Sequence, residues 1–560
     1  MKRKTRNTVL ILISLLIAFQ AQSQTIYDGL RMSERNYEGT ARSVAMGNAF
    51  TALGGDLGSI GINPAGGAVS KYSQFSLTPS LTITSNNATF TPNATDRYRN
   101  TTANAGFPNI GFNFYWETGR SYGLKGISFG FISNQTNSWN EDMYAAYRNT
   151  STSFAGSLAA HTTDLGYTSA ELSGDSAYDC YDYFEWKNVV GFQSDMISTF
   201  DGRDNEYAGA NEVLIRQDDG SIDIAIGGPL NQKYGRRVNG IKNDYLFNIG
   251  FNISDFLFIG ANLGITSMNY SYNEYFREEA INQSDFEMNL ENGERIYFND
   301  LKYIHSFDCQ TTGVYSKIGV IVTPGFGLRF GAAIQTPTAS TVYESWEMSG
   351  ETNFSEGKYN SSARSPYGKD KYSFTEPWRA NFGVAYTLGK FAVVSADYEF
   401  CDYTSMSFRR DGFNDVRDYF DDMNAEIKKT FRTSHMFRAG VEVKPIDRLA
   451  IRAGYNLTTS PDKEFYAPAL DTVEASKGMG WIAGRSTSAA HNISFGLGLI
   501  TRKSFYGDLA CRYMFVQDEY FMPYDNYIFN DGVVAANAAV PVIVNKADAW
   551  KILLTLGWRF

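Results

Sequence analysis

The chain has 560 residues, 43% hydrophobic and 15% aromatic, with a formal net charge of −10 and an isoelectric point near 5.2. With no Lys/Arg-rich run beyond its first residues, it offers no basic field to nucleic acid, which is excluded as a partner. Cys180, Cys309, Cys401 and Cys511 form no CxxC pair and His161, His305, His435 and His491 are isolated, so no metal, haem or other cofactor is expected.

Lys2, Arg3, Lys4 and Arg6 precede the apolar run Val9 to Phe19 and the small-residue site Ala21-Gln22-Ser23. This is the pattern of a secretory signal peptide over residues 1–23, with the mature chain starting near Gln24. No cysteine follows the cleavage site, which argues against a lipid anchor. No later segment reaches the roughly 18 consecutive apolar residues of a membrane helix. A mean hydropathy of −0.30 still allows membrane strands, because their residues alternate. In the exported chain a Cys180–Cys309 bridge between loops stays open, and Cys401 and Cys511 are expected to act as small packing residues.

Residues 24–72 show no two-residue period. The stretch GTARSVAMGNAFTALGGDLGSIGINPAGGAV scatters Val44, Met46, Phe50, Leu53, Leu57, Ile60 and Ile62 among small residues and carries the turn signal Asn63-Pro64-Ala65-Gly66. It is long enough to fold back into a barrel, whose lumen at about fourteen strands needs filling. The prediction is a plug whose glycines let backbones approach closely.

From residue 73 onward, period-2 alternation predicts fourteen strands, near 73–85, 107–116, 124–134, 243–253, 255–272, 313–323, 326–337, 377–387, 391–405, 434–444, 448–458, 490–500, 505–517 and 549–560. In the last of these Trp550, Ile552, Leu554, Leu556, Trp558 and Phe560 share one face, while Lys551, Thr555, Gly557 and Arg559 hold most of the other. Predicted connections alternate between short turns (117–123, 254, 323–326, 387–390, 444–448, 501–504) and long loops (86–106, 135–242, 273–312, 338–376, 406–433, 459–489, 518–548). An even strand number with short turns on one side predicts an all-β, 14-stranded antiparallel transmembrane barrel over residues 73–560, its largest outer loop spanning 135–242. Tyr115, Trp116, Trp378, Tyr386, Tyr398, Trp550 and Trp558 fall at strand ends, where an interfacial girdle places aromatic rings.

Ala41-Arg42-Ser43, then Met46 to Leu53 (MGNAFTAL), then Asn63-Pro64-Ala65-Gly66 directly before the first strand, resemble the amino-terminal hatch of the long-chain fatty-acid transporter family of outer-membrane proteins (FadL/TodX-like). The hatch motif covers about fifty residues; the rest of the chain matches in architecture. The resemblance implies a monomeric, hatch-plugged barrel of the bacterial outer membrane, not an enzyme. It further implies that hydrophobic small molecules pass passively to a lumenal site against the hatch and leave sideways into outer-membrane lipid. Phe50, Leu53, Ile62, Asn63, Pro64, Ala65 and Gly66 are then the hatch residues that meet substrate, and Trp558-Arg559-Phe560 resembles the end recognised by the barrel-assembly machinery. The polar 135–242 loop departs from the family, and no motif locates the family's carboxylate-binding basic residues.

Arg329, Arg438, Arg452, Arg512 and Arg559 fall on the inward phase of their strands, as do Asp397, Glu399, Glu442 and Asp508. Arg438 and Arg452, diagonal on one hairpin, are the candidate pair for an anionic head group; the competing reading is an ion-pair network in the lumen. There is no HExxH, and Gly174-Asp175-Ser176 is no nucleophile elbow. The acidic stretch 201–206 reads as solvated charge rather than a calcium loop. Some relatives of such barrels serve protein export of the type IX kind, holding a passing cargo protein, and the large loop keeps that alternative alive.

Overall fold

In the C-terminal strand, Trp550, Ile552, Leu554, Leu556 and Trp558 are exposed, and Lys551, Leu553 and Thr555 between them are buried. One strand thus carries a lipid-compatible face and a lumenal face, and the same alternation recurs around the molecule.

The computed structural model describes residues 25–91, 97–174, 179–290, 292–410, 420–463, 484–501, 504–516, 518–524 and 542–560. The signal peptide 1–23 lies outside the described residues. Fourteen strands form the wall: β1 (Gln74–Thr91), β2 (Tyr98–Glu117), β3 (Leu124–Asn149), β4 (Leu230–Ile253), β5 (Leu257–Ala280), β6 (Arg295–Gly325), β7 (Leu328–Gln335, continuing as Thr338–Phe354), β8 (Gly368–Glu376, continuing as Arg379–Leu388), β9 (Ala392–Asp402), β10 (Thr433–Ile446), β11 (Leu449–Thr458), β12 (Ala490–Ile500), β13 (Phe505–Phe515) and β14 (Val542–Arg559). Each pairs antiparallel with the next. The wall closes where β1 meets β14, from Gln74 opposite Arg559 to Thr91 opposite Val542. Closure pairs the first wall strand with the last, so neither end of the sheet is left as an edge strand.

Several strands run well past their predicted ends, and the segments 273–312 and 338–376, expected as loops, are largely strand. The reason is a reversal of polarity along one strand. In the lower half of β6, Val314 and Ile318 are exposed and Lys317 is buried; in its upper half Leu301, Tyr303, Phe307 and Cys309 are buried while Asp308 and Gln310 face out. The 31 residues of β6 span roughly 100 Å at about 3.3 Å per residue, several times the apolar band of about 25 Å that a barrel presents to lipid. The upper part stands in water around an apolar interior, so a lipid-outside template does not detect it. Residues 150–174 and 179–229, part of the polar loop expected over 135–242, fold onto this rim. The helix Phe154–Asp164 and its neighbours bury Phe154, Leu158, Val189 and Val190 against Phe276, Phe298 and Tyr303.

Two further expectations are corrected, and the open question of the Cys180–Cys309 bridge is answered. Tyr115 faces inward, where its hydroxyl accepts a hydrogen bond from Asn252 (3.1 Å), while its neighbour Trp116 is exposed. The ninth strand stops at Asp402 and turns through Tyr403–Ser405. Cys180 and Cys309 are both free: Cys180 belongs to the cap core and Cys309 to a separate lumenal cluster.

The hatch lies inside the wall. Its helical turns, α1 (Ile26–Ser33), α2 (Ala41–Ala45) and α3 (Gly66–Val69), are almost wholly buried. Wall glycines make room for it. A Cβ on Gly331 would stand 2.0 Å from the Thr51 carbonyl oxygen, one on Gly454 2.0 Å from the Gly47 nitrogen, and one on Gly260 2.3 Å from the Pro64 carbonyl carbon. Backbone thus rests on backbone, a contact that any side chain on these strands would prevent.

Candidate functional site

Charges on the hatch meet opposite charges on the wall. Arg35 pairs with Asp244 at 3.1 Å and donates to Gln335 at 3.1 Å. Glu38 is held by Arg512 at 3.4 Å and by Lys551. Arg42 reaches Glu442 at 3.0 Å. Lys242, bonded to Glu376 at 3.0 Å, also donates to the Met32 carbonyl, and Lys317 donates to the Gly61 carbonyl at 2.9 Å. Buried charges persist only when paired in this way, and removing one partner strands the other. Within the hatch, burial raises the Asp56 carboxyl above its usual range, with Arg42 and the Thr40 hydroxyl pulling it back.

The turn Asn63-Pro64-Ala65-Gly66 is a fixed point of this packing. The Asn63 amide donates to the carbonyls of Thr51 (2.7 Å) and Val320 (3.0 Å), and its oxygen accepts from the Ala65 nitrogen (3.1 Å). Asn248 donates to the Pro64 carbonyl at 3.0 Å. Phe50, Leu53 and Ile62 share one apolar cluster with Met46, Ala385 and Met436, whereas Ala65 packs with Phe258 and Ile321 in another. Gly66 leans on Gly54. The predicted hatch residues therefore divide between two sides of the plug. Replacing Asn63 by Leu leaves the buried Thr51 carbonyl without this donor, at about 1–3 kcal/mol. We expect limited proteolysis of the folded barrel to cut within residues 25–71 faster in Asn63→Leu than in wild type.

Arg438 and Arg452 lie close by and are both occupied. Arg438 pairs with Glu399 (3.2 Å) and Asp397 (3.6 Å) and donates to Asn381 (2.7 Å). Arg452 bridges Glu442 (2.7 Å) and Asp508 (2.6 Å). Of the other inward arginines, Arg329 donates to the Leu53 carbonyl at 2.8 Å, and Arg559 stacks over Tyr72 and Tyr506. Sequence reasoning found these wall charges by phase but missed Arg35, Glu38 and Arg42, their hatch counterparts. The available signal was that inward charges on membrane strands require partners.

Above the hatch, a cavity of about 220 Å³ lies between residues 31–38 and the wall strands β1, β3 to β5 and β8 to β14. A second, wider opening on the short-turn side is bordered by Val69, Lys71, Asp255, Phe258 and Phe326.

No known family model and no curated protein matches the chain. Solved structures do. A crystal structure of a Pseudomonas aeruginosa FadL homologue aligns over 94% of this chain and 100% of its own, with a TM-score of 0.51 at 9% identity. The P. putida toluene transporter TodX aligns over 94% and 99%, with a TM-score of 0.50 at 11% identity. The fold is FadL/TodX-like. In a FadL/TodX-like barrel of this kind, an apolar exterior surrounds a stoppered polar interior, and the chain departs from a bare cylinder in its tall water-exposed rim and the folded cap of residues 150–174 and 179–229.

Proposed function

We propose that the protein is a monomeric barrel of the bacterial outer membrane, inserted by the barrel-assembly machinery, that passively imports small hydrophobic molecules. The observation that carries this reading is a closed wall with an apolar exterior whose lumen is plugged yet keeps a cavity against the plug. Burial releases about 0.8 kcal/mol per methylene, so a lipophile delivered past the polar cell surface needs a path and no energy source. The toluene transporter among the barrels of like fold supports a small apolar cargo. A folded cap over the outer rim fits small molecules better than a passing cargo protein.

For sideways release, the ladder between β7 and β8 offers an interruption among the described residues. Pairing between β7 and β8 lapses at Thr336-Pro337 opposite Pro377-Trp378, between the pairs Gln335–Arg379 and Thr338–Glu376. Proline has no N–H for the ladder, so the wall at these four residues opens with little loss of hydrogen bonding. Cells or proteoliposomes carrying the protein should take up a labelled lipophile faster than those without it; equal uptake removes the reading. A Thr336→Cys/Trp378→Cys disulfide across the gap is expected to reduce that uptake at least tenfold, with recovery on reduction. Unchanged uptake through the locked barrel places the exit elsewhere.

A further inference from the structure

The register of the wall builds one side of the lumenal cavity from a single cross-strand row. Asn456 on β11 stands opposite Asn492 on β12, Asn492 opposite Met514 on β13, Met514 opposite Ala549 on β14, and Ala549 opposite Thr84 on β1. All five line the cavity. The small Ala549 and the unbranched Met514 leave space in the middle of the row. Asn456, Asn492 and Thr84 flank that space with amide and hydroxyl groups. Among the described residues, no protein group bonds the side chains of Thr82, Thr84 or Asn492, which leaves their hydrogen-bonding capacity for an occupant.

The charge around the cavity argues against an anion. Four arginines and five glutamates line it, an excess of one negative charge. Three of the arginines are committed: Arg35 to Asp244, Arg236 to Glu274 at 3.1 Å, and Arg379 to Glu399 at 3.1 Å. Arg31 is the least engaged, 3.7 Å from Asp28 and resting over the Tyr270 ring. Eleven neutral amide or hydroxyl residues of the Asn, Ser and Thr types complete the polar lining, with Trp139, Val238 and Phe515 among the apolar members. At about 220 Å³ the space is smaller than the 300–1,000 Å³ of pockets that enclose whole drug-sized ligands. It suits a head group, not a long chain.

We infer that this cavity binds an uncharged head group rich in hydroxyl or amide functions, of the glycoside kind, and discriminates against carboxylates. The assignment rests on the import reading and narrows its cargo to neutral amphiphiles.

The test uses the full barrel in phosphatidylcholine nanodiscs with two probes of equal chain length, a bromooctyl glucoside and bromooctanoate. Bromine quenches nearby indole fluorescence, and Trp139 lies at the cavity, edge-on to Tyr270. The quantity read is the saturable quenching that disappears in Trp139→Phe. The expected result is saturable quenching by the glucoside, weakened at least tenfold in Thr84→Val/Asn492→Leu, and only linear quenching by the octanoate. Equal or tighter binding of the octanoate, no effect of the double variant in a barrel with wild-type heat-modifiable mobility, or saturation by neither probe overturns the inference. Lipophile uptake by the same preparation separates the two readings. Intact uptake without glucoside binding removes the head-group assignment alone, and glucoside binding without uptake removes import alone.

Discussion

Replacing Glu38 by Gln is expected to free the hatch while leaving the wall intact. Glu38 is the carboxylate to which both Arg512 and Lys551 turn, and all three side chains are almost fully buried. Glutamine keeps the shape and removes the charge, so two cations remain in a low-dielectric interior with no counter-ion. Breaking a buried pair in this way costs about 3–5 kcal/mol, or about two to three and a half powers of ten in the population of the open hatch. Hydrogen exchange at amides of residues 25–71 should accelerate by that order, with wall amides unchanged. Adding Lys551→Met removes one stranded cation and should restore part of the protection. A single variant with wild-type exchange would mean that the hatch is not held by this pair.

Gly331→Val acts through volume alone. Its first added atom falls 2.0 Å from the Thr51 oxygen and 2.7 Å from the Ala52 Cα. Backbone cannot rotate aside as a side chain can, so residues 50–53 must move inward. That movement breaks the bonds by which the Thr51 nitrogen (2.8 Å) and hydroxyl (2.7 Å) hold Asp397. Overpacking costs about 1–3 kcal/mol, and the exposed carboxylate adds to it. In planar bilayers the variant should show a larger and noisier ion conductance than the nearly closed wild type, with Gly331→Ala between them. Wild-type conductance in Gly331→Val would contradict the backbone-to-backbone seat of the hatch.

The lower barrel was legible because lipid and lumen impose opposite demands on successive residues. In β14 five exposed apolar residues alternate with Lys551, Leu553, Thr555 and Gly557, a pattern that local sequence displays without knowledge of partners. The upper rim was not legible for the same reason. Above the membrane β6 keeps its phase but buries Tyr303 and Phe307 inside and shows Asp308 and Gln310 to water, so the same alternation carries the reverse meaning. Tyr115 was misplaced because one residue of register decides between lipid and lumen. The hatch was recognisable from its glycine-rich sequence and position. Its ion pairs were not, because Arg35, Glu38 and Arg42 meet Asp244, Lys551 and Glu442 across hundreds of residues. For Arg438 and Arg452 the wall carboxylates were visible as competitors, and only the three-dimensional arrangement shows both arginines engaged.

The most direct measurement is hydrogen exchange of residues 25–71 in native outer-membrane vesicles, compared with the wall strands and with an exposed outer turn such as 217–221. Hatch amides should be protected to nearly the same degree as those of β14, because the hatch is enclosed by the wall. Hatch amides exchanging as fast as the outer turn would contradict it, since a segment outside the cylinder has no wall to shield it.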